Sequence, residues 1–235
     1  MGIDEDRNET LKKRFSKTLA DSLEMREMNN AVPGSCNARI ARRAFNDIRK
    51  YTPELVIIVW SDPARTEFVP SNTIRSQYDG EDTEQVRPLS IYGYPSFLKN
   101  SWDIYYKNIS SLYMDVLKTL HNMSTTKMLC DSLSIPCIQL QFTGGFYKDL
   151  QKCRDTNHPS FRAYRKTLLE ELDYLSSDKH IIGLKTNTSM DSISGCEINP
   201  SLRSTIKSQE GHPAGEAHNN MSSWLANYIR ENGLR

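Results

Sequence analysis

Leu11, Phe15, Leu19 and Leu23 recur every four positions, which puts them on one stripe of a helix from about residue 9 to 24. Met28 to Val32 reads as a short strand that stops at the turn Pro33-Gly34-Ser35. Ile40, Ala41, Ala44, Phe45 and Ile48 mark one face of a second helix, and Pro53 ends the linker behind it. Leu55 to Trp60 is an unbroken apolar run rich in β-branched residues; it predicts a strand buried on both faces, as in a parallel sheet. Residues 61–97 have no period and contain Pro63, Pro70, Pro88 and Pro95, so they read as a long loop insertion. Tyr105, Ile109, Leu112, Val116 and Leu120 hold helical register, with a break expected near Asn122 and resumption to about Ser134. Ile135 to Phe142 is the next strand, and Phe161, Tyr164, Leu168, Leu172 and Leu175 stripe a helix near 160–176. Ile181 to Leu184 is a short strand, 185–212 a loop rich in Ser, Asn and Gly. A last helix from about Pro213 carries Ala217, Met221, Trp224, Leu225 and Tyr228 on its apolar face.

Helices that alternate with short apolar strands imply βαβ units, hence an α/β protein with a parallel sheet and helices on both faces. The expected architecture is a three-layer α/β/α arrangement in one domain over residues 1–235, since no repeat or composition shift marks a boundary.

Composition narrows the function classes. Thirty basic side chains against 29 acidic ones give a net charge of +1, without the basic excess of a nucleic-acid-coating protein. No window approaches the apolar length of a membrane span, and the charged stretch Met1 to Arg14 has no signal-peptide core, so a cytoplasmic protein is expected. Five cysteines without a C-x-x-C pair read as free thiols in a reducing compartment, not as zinc ligands. No metal and no cofactor is expected: neither G-x-G-x-x-G nor a phosphate-binding loop is present, and Gly144-Gly145 alone does not make one.

The densest candidate chemistry is Glu210-Gly211-His212-Pro213. A His directly before the Pro that opens a helix sits on a loop at the helix amino end, and an acid two residues earlier is in reach to hold its tautomer. On spacing alone the same pattern fits a surface His beside a first-turn proline. His218, six residues on, faces another direction and reads as solvent-facing, so the two do not form a metal pair. Trp60 and Arg65 bracket the carboxyl end of the predicted strand 55–60, where parallel sheets bind ligands. Trp60 is a substrate contact or a core residue; Arg65 is a substrate contact or the ion-pair partner of Glu67 or Asp62. Asn37 is placed either to cap the helix that follows or to contact substrate, and Ser35 is a helix cap or turn residue.

Three segments, in order, resemble blocks of the SGNH (GDSL-type) hydrolases. Gly211 to Ile229 is similar to their last block, Asn30 to Asn37 to their second, and Pro53 to Asp62 to their third. Pro63 to Phe68 is similar to a subgroup of phage-encoded members. The resemblance implies an SGNH/flavodoxin-like sheet and an ester hydrolase for acyl or acetyl esters, including those on carbohydrates. It assigns His212 as the base, Glu210 as its orienting acid and the Gly34 N–H as an oxyanion donor. Two departures stand out. The family's nucleophilic serine follows a first strand, and here neither that strand nor a G-x-S precedes the helix at residue 9; a segment upstream of Met1 is the expected source. Where the family has an oxyanion-binding Asn, this chain offers Ser61 or Asp62, and an ionised Asp cannot donate a hydrogen bond. The competing expectation is a non-catalytic binding or assembly protein on the same fold, with a protein partner at a sheet edge that the missing strand leaves exposed.

Overall fold

The computed structural model describes residues 14–31, 35–68, 87–89, 104–105, 108, 110–155, 162–196, 198–202 and 215–234. Among them are seven α-helices: α1 (Phe15–Ser22), α2 (Asn37–Tyr51), α3 (Leu112–Ser132), α4 (Gly145–Asp155), α5 (Arg162–Ser176), α6 (Met190–Ser194) and α7 (Gly215–Glu231). Strands β1 (Val56–Trp60) and β4 (Cys137–Gln141) pair in parallel, Val56 opposite Cys137 and Trp60 opposite Gln141. Strands β2 (Thr66–Phe68) and β3 (Arg87–Leu89) form a separate antiparallel ladder inside the segment expected to be a long loop.

The side chains of β1 alternate between two apolar clusters, as the period of two requires. Val56, Ile58 and Trp60 join the first, with Ile48 of α2, Val116, Leu120 and Met123 of α3, Phe146 and Leu150 of α4, and Leu168 and Leu175 of α5. Ile57 and Val59 pack against the second, with Ile138 and Leu140 of β4, Leu19 of α1, and Met221, Leu225 and Ile229 of α7. The fold is therefore mixed α/β, with helices packed against both faces of a parallel strand pair. Every residue of β4 is buried, whereas Ile57 and Val59 of β1 are only half-buried, so the expected burial of β1 on both faces is incomplete.

Several boundaries differ from expectation. Residues 25–31 are irregular rather than a strand, because they make no ladder with β1 or β4. Helix α3 runs unbroken through Asn122, whose carbonyl accepts the Thr126 hydroxyl while the backbone ladder continues. Of the expected strand at 181–184 only one bridge forms, Gln139 to Ile181. Gly183 turns away at φ +92°, and a Cβ there would lie 2.5 Å from the Thr188 carbonyl oxygen. Helix α4 was not expected, although Phe146, Leu150 and Cys153 stand at helical spacing on its buried side. The loop 185–212 contains α6, started by a reciprocal capping box between Ser189 and Ser192.

Candidate functional site

The site is built at the carboxyl end of β1. Trp60 is wholly buried, and its indole N–H donates to Gln139 Oε1 at 2.8 Å. The Gln139 amide is fixed in turn by the Met123 carbonyl at 3.2 Å. Of its two readings Trp60 takes the core one: the ring is closed off from solvent and held by β4.

Asn37 departs from the cap reading. It is the first residue of α2, and Cys36 occupies the cap position without a side-chain cap bond. Asn37 is 4% exposed, and its amide is turned onto the strand end. Its Oδ1 accepts the Ser61 N–H at 2.7 Å, and its Nδ2 donates to the Ser61 carbonyl at 3.0 Å and to Thr119 Oγ1 at 3.0 Å. Both amide hydrogens are thus engaged, which leaves none for a substrate. Two bonds to the backbone of one residue are what an adjacent strand would supply. Asn37 is a positioning residue that ties the start of α2, the end of β1 and the middle of α3 together. Thr119 completes the tie by donating to the Asp115 carbonyl at 2.8 Å.

This clamp fixes the Ser61 backbone but leaves its hydroxyl without a hydrogen bond among the described residues. Asp62 folds back: its Oδ1 accepts the Ala64 N–H at 2.8 Å, and its carbonyl accepts the Arg65 N–H at 3.1 Å. That turn aims the chain into β2. Arg65 Nε is buried without a hydrogen bond; of its two expected ion-pair partners, Asp62 turns to the Ala64 N–H instead, and the Glu67 side chain lies outside the described ones.

Asp115 of α3 lies near this turn and was not singled out from the sequence. It is buried, accepts the Ser110 hydroxyl at 2.9 Å and has Lys118 Nζ at 3.9 Å. Burial pushes its carboxyl above the usual carboxylate range, and the charge of Asp62 adds to that, against the Ser110 bond and Lys118. Its signal in the sequence is an acid on the inner face of an apolar helix, three residues after Leu112. At the end of β4, Gln141 is buried with Oε1 unpartnered and Nε2 3.5 Å from Met123 Sδ.

Gly34, Glu210 and His212 lie outside the described residues. Their flanks do not: α2 starts three residues after Gly34, and α7 starts three residues after His212. His218, expected to face solvent, instead accepts the Phe15 N–H on Nδ1 at 3.3 Å and stacks on the Phe15 ring at 6.3 Å. It joins α7 to the first turn of α1, whose amino-end donors have few other takers.

Elsewhere, Glu171 accepts the Ser124 hydroxyl and pairs with His121 Nδ1 at 3.2 Å. The serine there bonds the acid rather than the imidazole, so this is not a nucleophile–base pair. Cys36, Cys130, Cys137, Cys153 and Cys196 are all buried, and none of them is joined in a disulfide. Among the described residues no three His, Cys, Asp or Glu side chains gather to hold a metal ion, and no helix is long and apolar enough to cross a membrane. Models of known protein families, curated proteins and solved structures include no match to this chain.

Proposed function

We propose that this chain is an SGNH-like ester hydrolase acting on acyl or acetyl esters, those on carbohydrates included. In this reading the two apolar clusters are the two helix–sheet interfaces of a three-layer SGNH/flavodoxin-like domain. A serine Oγ attacks the acyl carbonyl and His212 takes its proton; the same imidazole protonates the departing alcohol, and water then clears the acyl group by the reverse roles. Glu210 orients His212, the Gly34 N–H receives the oxyanion, and the unengaged Ser61 hydroxyl is the second donor. The serine nucleophile is left unassigned. A cytoplasmic location, that of the host for a phage-encoded protein, goes with this reading.

The observation that supports it is the Asn37–Ser61 clamp. It bonds the segment 30–37 to the segment 53–62 at the carboxyl end of a parallel strand, which are two of the three segments that carry the resemblance. The test is labelling with a fluorophosphonate probe and peptide mapping, on the intact chain and on His212→Ala. One labelled serine that vanishes in the variant supports the hydrolase and names its nucleophile. A folded chain that takes no label sinks catalysis by this chain.

A second reading, a binding or assembly protein, is favoured by the outer edge of β1. In the register of the parallel pair, Val56, Ile58 and Trp60 direct their backbone groups to β4. Ile57 and Val59 point theirs the other way, where no backbone partner meets them among the described residues. An extended strand of a partner chain fits such an edge.

A further inference from the structure

We propose that Arg65 is an oxyanion-recognising group at the carboxyl end of β1, and that the ester this site serves carries a carboxylate or a phosphate beside its acyl linkage. The word ester rests on the hydrolase reading; the anion site does not.

A guanidinium is charged at every physiological pH and presents five donors in a rigid plane. Folded chains almost always give buried donors a partner. Other described arginines follow that rule. Arg14 grips Glu27 through Nε at 3.0 Å and Nη2 at 2.7 Å, Arg43 lies 3.6 Å from Asp47, and Arg230 donates to the Ser22 carbonyl at 2.8 Å. Arg65 departs from it. The residue is half-buried, and its Nε is buried with no hydrogen bond. Acids are not scarce, with 29 in the chain against 30 bases, and Asp62 is three residues away. The Asp62 carboxylate is turned inward onto the Ala64 N–H instead.

The backbone around Arg65 is held on both sides, which sets where its side chain starts. Its N–H donates to the Asp62 carbonyl, and the next residue, Thr66, opens the ladder to β3. The orphan is also the informative atom. Nε and one Nη together form the side-on fork that takes two oxygens of a carboxylate or phosphate at once. A neutral ester oxygen would occupy one donor and leave the charge unmatched. The position, five residues past the last residue of a parallel strand, is where open α/β sheets hold ligands.

The test uses the full chain and two probes, inorganic phosphate and succinate, which separate the phosphate from the carboxylate source. The readouts are the Arg65 Nε–H resonance and the melting temperature. At least one probe is expected to shift that resonance saturably and to raise the melting temperature. Arg65→Lys keeps the charge without the fork and is expected to weaken binding by about tenfold or more. Arg65→Met is expected to abolish the response while the melting temperature without anion stays level or rises, because an unmatched buried donor has been removed. The proposal is overturned if neither probe perturbs Arg65, if Arg65→Met binds as the parent does, or if Arg65→Met melts several degrees lower, which would make the guanidinium structural. Anion binding without fluorophosphonate labelling would retain the site and remove the hydrolase; labelling without anion binding would do the opposite.

Discussion

At the amino end of β4 the polar groups are closed on one another. Lys127 Nζ of α3 lies 2.7 Å from Asp131 and 2.9 Å from Asp178, with the Tyr174 ring 5.7 Å away. Burial pulls the Lys127 ammonium down, but its bonds to the two carboxylates outweigh this and hold it above the usual lysine range. Asp178 also accepts the His180 N–H at 2.8 Å, and His180 Nδ1 meets the Tyr228 hydroxyl at 3.1 Å, which itself donates to the Lys179 carbonyl at 2.8 Å. At the carboxyl end of the same strand pair, Arg65 Nε and Gln141 Oε1 are buried and unmatched. Both ends use side chains from α3, and both are partly buried. The difference is that the described groups at one end are satisfied by the chain itself, while at the other the Asn37, Thr119 and Asp115 bonds stand beside two buried atoms, Arg65 Nε and Gln141 Oε1, that have no hydrogen bond. Unmatched polar groups cost stability, and they gather where ligands are bound.

Substitutions at the two ends test this contrast. The largest effect is expected from Asn37→Ala, which strips three hydrogen bonds from a buried junction, leaves the Ser61 backbone unmatched and takes the donor to Thr119 away. Unfolding in urea should show a loss of about 2–3 kcal/mol. A cost near zero would mean that the clamp does not hold the site. Lys127→Met comes next. It leaves Asp178 half-buried without its cation, and about 1–2 kcal/mol should be lost at neutral pH, less as the pH falls and the carboxylates are protonated. If it costs more than Asn37→Ala, the ranking of the two ends is reversed.

The smallest effect is a pH dependence at the closed end. Burial holds the His180 imidazole below its ordinary pKa, against the pull of Asp178, so the folded chain binds this proton less readily than the unfolded chain. The stability it allows is present at neutral pH and is lost as the pH falls through the ordinary histidine value of about 6.5 toward the folded-state value. His180→Gln should flatten the stability profile between about pH 7 and pH 5. An unchanged slope would assign that dependence elsewhere.

The run 55–60 announced β1 because six apolar residues in a row, four of them Val or Ile, have no other easy conformation beside Pro53. The stripe Phe15, Leu19, Leu23 likewise announced α1. What stayed hidden depends on partners distant in the chain. That Ile57 and Val59 would be half-buried while β4 is fully buried follows from which helices cover each strand, and no local pattern encodes it. The role of Asn37 was hidden for a related reason. An Asn after a turn reads as a helix cap, and the competing acceptor and donor on Ser61 lie 24 residues downstream. Asp115 went unnoticed because its neighbours spell an apolar face. Arg65 was legible as a residue at a strand end, but its lack of a partner is visible only in three dimensions.

The Asn37 clamp also bears on how this chain behaves in concentrated solution. An open strand edge is a template for adding strands from other molecules, and natural sheets protect such edges with interruptions. Here the amide of Asn37 occupies the hydrogen-bonding positions of Ser61, as a one-residue strand would, and the body of α2 follows directly behind it. Among the described residues no backbone meets Ile57 and Val59, and pairing along that edge of β1 meets a stop at Ser61. The clamp that orders the site thus acts as a terminator against fibrous assembly, limiting any added strand to a few residues.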